Sequence, residues 1–418
     1  MAKVYLIICL ALTLTANCFK SGASAGAVES RNEPADVAAQ TQQNRDSETS
    51  PAPAYPAAYQ PESYLPLLEG KKLGLVVNQT SMVGTTHLVD TLLALGMDVH
   101  RIFAPEHGFR GEADAGATIT DGVDNRTGLV IRSLYGRNKK PSEADLADLD
   151  LIVFDIQDVG VRFYTYISTL HYVMEAAAEV GKPVVILDRP NPNGHYVDGP
   201  IRKPGFESFV GLDPIPVVHG LTVGEYGRMV NGEGWLGNGL KCDLTVVPCR
   251  DYTHESVYEL PVPPSPNLPN QRSIYLYPSL CFFEGTALSV GRGTNRQFQV
   301  YGHPRLSGPD TFTPRPGPGA ADPKLNGETC RGHDLSDRPA EEFRKYQLDL
   351  APLLATHREL TGKGVEFFSR AEFFDLLAGT DALRKQIEAG KTEAEIRQEW
   401  VGELAAYRTM REKYLLYP

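Results

Sequence analysis

The chain has 418 residues, of which 42% are hydrophobic and 22% carry a charged side chain. Its formal net charge is −11, which argues against nucleic acid or an anionic membrane surface as a partner, because both attract basic proteins. The length exceeds what one hydrophobic core usually supports, so we expect two domains.

The amino-terminal stretch has the features of an export signal. Met1-Ala2-Lys3 supplies a positive start, and the apolar run Val4 to Leu14 is too short to span a bilayer. We therefore predict a signal peptide over residues 1–18 and a location in the cell envelope, either periplasmic or lipid-anchored. Cys18 fits a lipoprotein signal whose cysteine is acylated, whereas Ala23-Ser24-Ala25 fits an ordinary secretory cleavage site. Both alternatives stay open.

Three further segments follow from composition and hydrophobic pattern. Residues 19–60 have almost no large apolar side chains, so they are predicted to form a disordered tether. Residues 61–238 are expected to form a Rossmann-like catalytic domain, and residues 239–418 a smaller α+β domain.

Apolar runs that alternate with amphipathic helices predict a parallel sheet. The predicted strands are Leu73–Val77, Val99–Ala104, Leu129–Leu134, Leu151–Phe154 and Val184–Leu187. Helical patterns follow the first and the fourth of these strands and stop at Gly96 and Gly181. Because fully apolar strands are buried on both faces, the fold class is α/β with helices covering both sides of the sheet.

The loop after the first strand carries no nucleotide-binding motif. Val77 to Gly84 has one late glycine where G-x-G-x-x-G needs three, and the chain contains no G-x-x-x-x-G-K-[ST]. We therefore expect a Rossmann-like sheet that uses no cofactor.

The second half of the chain has short elements between proline-dense loops. Leu244–Val247 and Ile274–Leu276 are predicted to be strands, and the loop Pro261–Pro269 is the densest in proline. Long loops inside a compact domain are usually functional, although this one could simply fasten the two domains together. Capping boxes at Thr222–Glu225 and Thr392–Glu395 predict two helix starts.

The cysteines do not indicate a disulfide framework or a metal site. Beyond the predicted signal they are Cys242, Cys249, Cys281 and Cys330. Cys242 and Cys249 flank a predicted strand that would hold them roughly 20 Å apart, at about 3.3 Å per residue. No metal-ligand spacing is present, so we expect no metal.

Polar side chains follow each of the five predicted strands, where open α/β sheets bind their ligands. They are the carboxylates Glu106, Asp155, Asp158 and Asp188, the imidazole of His107, the hydroxyls of Tyr135 and Tyr164, and the amides Asn78, Gln79, Gln157, Asn191 and Asn193. Amides, tyrosines and carboxylates bind sugars, and paired carboxylates cleave glycosidic bonds. Two other uses stay open: a metal site, and an ordinary polar turn at Pro105–Gly108.

Eight strings carry a resemblance to a known family. They are Val77–Thr80, Pro105–Gly111, Phe154–Tyr166, Leu187–Pro192, Pro264–Pro269, Phe283–Thr286, Gly291–Thr294 and Tyr414–Tyr417. With them, the span from about Pro61 to Pro418 resembles the bacterial exo-β-N-acetylmuramidases, long catalogued as a domain of unknown function. The resemblance implies a Rossmann-like domain, a smaller second domain and an active site in the cleft between them. It also implies release of N-acetylmuramic acid from the non-reducing end of peptidoglycan fragments.

For such an enzyme, Glu106 is the expected general acid and Asp158 the second catalytic group. Tyr164 is expected to orient the substrate's 2-acetamido group if that group attacks the anomeric carbon; retaining, inverting and substrate-assisted routes all stay open. An arginine, Arg292 first, is expected to bind the lactyl carboxylate. Asp155 is expected to be a buried partner of backbone amides. The other predicted substrate-binding residues are Asn78, Gln79, His107, Arg110, Gln157, Arg162, Asp188, Arg189, Asn191 and Arg296.

Two other functions are compatible with the sequence. One is a non-catalytic envelope lipoprotein that binds muropeptides, and the other is a metal-dependent hydrolase of another envelope polymer. In each case the expected partner is an envelope polymer fragment and not nucleic acid.

Overall fold

The computed structural model of the protein describes residues 53–109 and 121–418. The predicted signal peptide, Cys18, most of the predicted tether and Arg110 lie outside these two ranges. None of the helices within them combines the length and the apolarity that a membrane span requires.

The predicted tether is too long at its carboxyl end. Tyr55 pairs with Arg250 in an isolated antiparallel bridge, and the N–H of Ala57 donates to the carbonyl of Asp188 at 2.8 Å. Ala57 and Ala58 are fully buried in a short 3-10 helix. The prediction that the tether extends to residue 60 is wrong here. It was based on composition, but alanine side chains can pack closely against other elements although each of them buries little area.

The described residues form twelve strands and ten α-helices. The strands are β1 Leu73–Val77, β2 Met82–Val83, β3 Thr86–His87, β4 Val99–Ala104, β5 Gly122–Val123, β6 Val130–Ser133, β7 Leu151–Asp155, β8 Val184–Leu187, β9 Leu244–Val247, β10 Val300–His303, β11 Asp310–Phe312 and β12 Cys330–Asp334. The helices are α1 Pro61–Leu68, α2 Leu88–Ala94, α3 Glu143–Leu146, α4 Tyr166–Glu179, α5 Val223–Glu233, α6 Gln271–Leu280, α7 Ala351–Gly362, α8 Ala371–Ala378, α9 Ala382–Glu388 and α10 Glu393–Glu412.

Seven strands form the main sheet, in the order β5-β6-β4-β1-β7-β8-β9. All neighbours run parallel except the edge pair of β5 and β6. The five strands predicted from the apolar runs are confirmed. Parallel strands end at the same edge of a sheet, and Val77 at the end of β1 accordingly lies beside Asp155 at the end of β7.

The main sheet is buried on both faces, as predicted. Successive residues of a strand point to opposite sides, and they enter two separate hydrophobic cores. Val76 and Phe154 pack into a core that includes Leu170 of α4. Leu75 packs on the other face into a core that includes Leu68 of α1. This two-sided burial explains why the strands are apolar throughout.

The carboxyl-terminal part adds a three-stranded antiparallel sheet, β10-β12-β11, and the helices α6 to α10. The prediction of a strand at Ile274–Leu276 is wrong, because these residues lie within α6. The side chain of Asn270 caps that helix by accepting from the N–H of Ser273 at 3.0 Å. A three-residue apolar run does not distinguish a strand from a helix. The helix starts predicted at Thr222 and Thr392 are confirmed by their capping boxes.

The two predicted domains share one core. Strand β9 pairs with β8 in the main sheet although it follows the predicted boundary at residue 238. The core that contains α4 continues into the carboxyl-terminal helices and includes Leu353 and Trp400. By their contacts, the described residues form one compact unit.

Candidate active site

Glu106 lies in a tight turn at the carboxyl end of β4. The N–H of Gly108 donates to the carbonyl of Pro105 at 3.0 Å, and His107 has a φ of 68°. A left-handed backbone at a non-glycine residue costs of order 1–3 kcal/mol, and such strain is concentrated at functional sites. His107 is buried, while Glu106 is half-buried at the edge of the sheet. The turn therefore presents the carboxylate where the other strands also end.

The hydroxyl of Thr165 holds one oxygen of Glu106. Its Oγ1 donates to Oε2 of Glu106 at 2.9 Å, and Thr165 is the residue immediately before α4. This contact joins the turn after β4 to the start of the helix that follows β7. The carboxylate is thereby held between the end of β4 and the start of α4.

Glu106 faces a pocket of about 410 Å³, including the part that is open to solvent. The described residues that line it come from three parts of the chain: the Glu106 turn, the start of α4, and the loops and helix between residues 265 and 298. They are Glu106, His107, Phe163, Tyr164, Thr165, Tyr166, Ser265, Asn267, Leu268, Tyr277, Arg292 and Phe298. A carboxylate, a guanidinium, hydroxyls and an amide thus share one pocket with several aromatic rings.

Two tyrosines form the inner wall of the pocket. The rings of Tyr164 and Tyr166 meet edge to face, 4.9 Å between centroids. Tyr166 donates its hydroxyl to the carbonyl of Pro264 at 3.1 Å. The hydroxyl of Tyr164 is buried without a hydrogen bond of ordinary geometry to any described residue. Burial raises the pKa of Tyr164 well above its usual value, so the group stays protonated and able to donate.

Asp158, the predicted second catalytic group, does not line the pocket. Its side chain is buried, and Oδ1 accepts from the N–H of Gly160 at 2.7 Å. Its Oδ2 has no hydrogen-bond partner among the described residues. Burial raises the pKa of Asp158 to about 7. Its charge acts on Tyr164 and Tyr166, so it influences the pocket through these tyrosines.

Asp155 and Arg189 are paired with each other and not with a ligand. Nε and Nη2 of Arg189 donate to the two oxygens of Asp155 at 2.5 and 2.8 Å, and both side chains are buried. Asp155 was expected to accept from backbone amides. A guanidinium takes that place because its planar fork matches both carboxylate oxygens.

Asp188, Gln157 and Asn191 fasten loops beneath the site. Asp188 accepts from the Thr222 hydroxyl at 2.6 Å and from the Tyr417 hydroxyl at 2.6 Å, and burial raises its pKa to about 6. Gln157 donates to the carbonyl of Pro190 at 2.7 Å, and Asn191 donates to that of Leu221 at 2.9 Å. These three predicted ligands of the substrate are buried and are not among the described pocket residues.

Asn78 and Gln79 support the rim of the pocket. Oδ1 of Asn78 accepts from the N–H of Thr80 at 2.9 Å, which closes the turn after β1. Gln79 donates to the carbonyl of Pro264 at 3.0 Å, the same carbonyl that Tyr166 uses. The proline-dense loop predicted to be functional is thus fastened to the sheet edge directly beside the pocket.

Of the four predicted arginines that the structure describes, only Arg292 lines the pocket. Arg162 is buried and donates to the carbonyls of Pro200, Ile215 and Leu377 at 2.7–2.8 Å. The other two form ion pairs, Arg189 with Asp155 and Arg296 with Asp334. The partners of these three arginines are set by contacts with residues distant in sequence, which their motif strings do not reveal.

Arg292 is held at the boundary between the pocket and a larger cavity of about 1560 Å³, including open solvent. Its Nε donates to Oε1 of Glu284 at 3.0 Å, and its guanidinium lies 5.1 Å from the ring centroid of Phe298. Lys324 in turn fastens the Glu284 turn by donating to the carbonyl of Phe283 at 3.1 Å. The position of Arg292 is therefore fixed from two sides.

Several pocket residues had no predicted role. Tyr166, Ser265 and Asn267 belong to the quoted strings, and Thr165 belongs to the string that contains Tyr164. The proline density of the loop Pro261–Pro269 was the available signal for Ser265 and Asn267. The sequence could not show that this loop folds against the turn after β4.

The described residues contain no cluster of three or more His, Cys, Asp or Glu side chains that could hold a metal ion. Their four cysteines are all buried free thiols, and the separation expected between Cys242 and Cys249 agrees with this.

Comparison with known proteins agrees with these features. Models of the amino-terminal and carboxyl-terminal domains of the exo-beta-N-acetylmuramidase NamZ match residues 73–272 and 275–417. The two models meet near residue 273, inside α6, and not at the predicted boundary. The peptidoglycan beta-N-acetylmuramidase NamZ of Bacillus subtilis (strain 168) is 36% identical over 379 residues, 85% of this chain and 89% of the relative.

Two crystal structures of DUF1343 family proteins from Bacteroides fragilis NCTC 9343 share the fold. The first is 47% identical with a TM-score of 0.81, and the match covers 88% of this chain and 99% of the other. The second is 28% identical with a TM-score of 0.75, covering 87% and 99%. With both domain models matched along most of its length, the chain belongs to the exo-β-N-acetylmuramidase family that its sequence resembles.

Proposed function

We propose that this protein is a glycoside hydrolase that releases N-acetylmuramic acid from the non-reducing end of peptidoglycan fragments. The observation that carries the proposal is the Glu106 pocket, in which one carboxylate, one guanidinium and a set of tyrosine and amide groups converge. Family membership supports the same reaction. Glu106 is the general acid, which protonates the leaving glycosidic oxygen as the bond breaks.

The surroundings of Glu106 suit proton donation. Thr165 donates to one carboxyl oxygen, so the carboxyl group is held in one orientation. The strained turn at His107 keeps the group at the end of β4. A general acid must lie within hydrogen-bond reach of the leaving oxygen, and such fixed placement supplies that condition.

Arg292 binds the lactyl carboxylate that distinguishes N-acetylmuramic acid from N-acetylglucosamine. The protein is acidic overall, so an anionic group of the substrate needs a local cation. Glu284 occupies Nε of Arg292, which leaves the terminal nitrogens to form parallel hydrogen bonds with a carboxylate. The place of Arg292 in both the pocket and the adjoining cavity supports this role.

The 2-acetamido group of the substrate serves as the nucleophile, with Tyr164 orienting it. Tyr164 offers a protonated hydroxyl inside the pocket, and a hydroxyl that donates to the acetamido oxygen fixes that oxygen beneath the anomeric carbon. Substrate-assisted cleavage of this kind retains the configuration at the anomeric carbon. Asp158 contributes through its electrostatic effect on Tyr164 and not by contact with the sugar.

The decisive experiment is product analysis with the purified protein and a disaccharide of N-acetylmuramic acid β-linked to N-acetylglucosamine. Release of both monosaccharides, together with inactivity towards a disaccharide with N-acetylglucosamine at the non-reducing end, is the expected result. Binding of the disaccharide without cleavage would instead indicate a muropeptide-binding protein. Loss of activity on addition of a chelator would indicate a metal-dependent hydrolase.

A cell-envelope location is part of the proposal, since peptidoglycan lies there and residues 1–18 have the features of an export signal. Labelling cells with a radioactive fatty acid tests for a lipid anchor. A label that disappears in Cys18→Ala would support acylation, and an unlabelled protein in the periplasmic fraction would contradict it.

A further inference from the structure

We infer that Asn267 is a specificity-determining residue, whose side-chain oxygen accepts the N–H of the substrate's 2-acetamido group. The inference rests on the proposed function, because it explains how the pocket would require an N-acetylated sugar. It concerns a residue that touches substrate and takes no part in the proton transfer assigned to Glu106.

The orientation of the Asn267 amide is fixed by the protein. The residue is 2% exposed and lines the same pocket as Glu106 and Tyr164. Its Nδ2 donates to the carbonyl of Gly319 at 2.8 Å. Because Nδ2 is bonded to this carbonyl, Oδ1 is fixed at the other position of the amide group.

That oxygen is a buried acceptor without a donor. Among the described residues, none hydrogen-bonds to Oδ1 of Asn267. Leaving such a group unsatisfied is unfavourable, so buried polar atoms nearly always have a partner. In a pocket wall, the missing partner is naturally an N–H or O–H of the ligand.

The neighbouring groups match the rest of an acetamido group. An acetamido group presents one N–H, one carbonyl and one methyl. Asn267 offers an acceptor for the N–H, and the protonated hydroxyl of Tyr164 offers a donor for the carbonyl. Phe163, Leu268 and Phe298 supply apolar surface for the methyl in the same pocket.

The backbone at Gly319 closely approaches the loop that contains Asn267. This glycine has a φ of 77°, and a Cβ there would lie 2.8 Å from Cβ of Pro266 and 3.1 Å from Nδ2 of Asn267. A side chain at position 319 would therefore press against the Asn267 amide, whose orientation the carbonyl of Gly319 fixes. Gly319→Ala is thus a second, independent way to disturb Asn267 without removing its oxygen.

The test compares two free sugars by isothermal titration calorimetry. One is N-acetylmuramic acid, and the other is its analogue with a hydroxyl in place of the 2-acetamido group. Asn267→Ala should weaken binding of the acetylated sugar by about 10- to 100-fold, the loss expected when the N–H of the ligand is buried without an acceptor. Binding of the hydroxyl analogue should change by less than about threefold, so the preference for the acetylated sugar should fall, while Tyr164 and the apolar residues retain the rest of it.

Gln386 offers a matched control. Its side chain is also a buried amide whose oxygen has no partner among the described residues, and its nitrogen donates to Glu399. It does not belong to the described lining of the pocket. Gln386→Ala should leave the ratio of the two dissociation constants at its wild-type value.

Two outcomes would overturn the inference. One is an unchanged preference for the acetylated sugar in Asn267→Ala, whether both sugars bind as in the wild type or are weakened equally. The other is a preference lost to the same extent in Gln386→Ala. If Asn267→Ala does not fold, Gly319→Ala decides: it should weaken the acetylated sugar selectively, and an unchanged ratio refutes the role. A wild-type protein that binds neither sugar and cleaves no muramic acid glycoside refutes the proposed function itself.

Discussion

Replacement of Glu106 by glutamine should remove almost all turnover while the fold is retained. The amide has the shape of the carboxyl group, and its oxygen can still accept from the hydroxyl of Thr165. It cannot, however, release a proton to the leaving oxygen. General acid catalysis contributes about 10²–10⁴-fold to the rate, which corresponds to roughly 3–5 kcal/mol of transition-state stabilisation.

The assay compares two leaving groups. On the β-linked disaccharide, whose leaving sugar needs a proton, kcat should fall by the full 10²–10⁴-fold. On an aryl glycoside that releases a stable phenolate, the loss should be much smaller, because that phenolate leaves without protonation. Glu62→Gln, an exposed change at the start of α1, should show wild-type rates on both substrates.

Two results would refute this role of Glu106. One is a variant that keeps more than about a tenth of the wild-type rate on the disaccharide. The other is an equal loss on both substrates together with a lower melting temperature, since a residue that only supports the turn after β4 would affect stability and not leaving-group dependence.

Four further outcomes are expected. Arg292→Ala should weaken binding of lactyl-bearing sugars at least about tenfold and leave binding of N-acetylglucosamine analogues unchanged; equal losses in binding would contradict carboxylate recognition. Proton NMR should detect the β anomer of the product first, and an α anomer would exclude retention. Burial raises the pKa of Asp158 from 3.8 to about 7, so its contribution to stability is present below pH 3.8 and is lost as the pH rises to about 7. Asp158→Asn should flatten thermal stability across that range; an unaltered pH profile would count against this, and full activity would contradict the proposed effect of Asp158 on Tyr164. Arg162→Met should lower the free energy of unfolding by about 3 kcal/mol or more, because three buried carbonyls lose their donor, and an unchanged denaturation midpoint would disprove it.

Local sequence patterns were sufficient for the five central strands of the main sheet, but not for β5 or for the place of β9 beside β8. Continuous apolar runs such as Leu73–Val77 and Val184–Leu187 predicted buried parallel strands, and both are fully buried in the structure. The place of Glu106 at the end of β4 also followed from the chain alone. Patterns of this kind succeed because backbone geometry fixes the spacing of buried side chains within one element.

The same reasoning failed where a short pattern was ambiguous. Three apolar residues at Ile274–Leu276 fit a strand or a helix equally well, and the cap at Asn270 decided for the helix. The segment with Ala57 and Ala58 was predicted to belong to the tether, but both residues are buried. For Ala57 and Ala58 the deciding factor was packing against distant elements, which a window of a few residues does not contain.

Which polar residues reach the pocket was decided only by the tertiary structure. Motif strings predicted Arg162 and Arg189 as ligands as readily as Arg292, but Arg162 caps a carbonyl 215 residues away and Arg189 neutralises Asp155. Asn267 lies in the pocket because its loop packs at the sheet edge, where Gln79 bonds to a carbonyl 185 residues further along the chain. The sequence thus determined the five central strands of the main sheet, the helix starts at Thr222 and Thr392, and the position of Glu106 along the chain. Long-range hydrogen bonds and burial decided which side chains surround Glu106. A charged or amide group can bind a ligand only with those atoms that are not already hydrogen-bonded inside the protein.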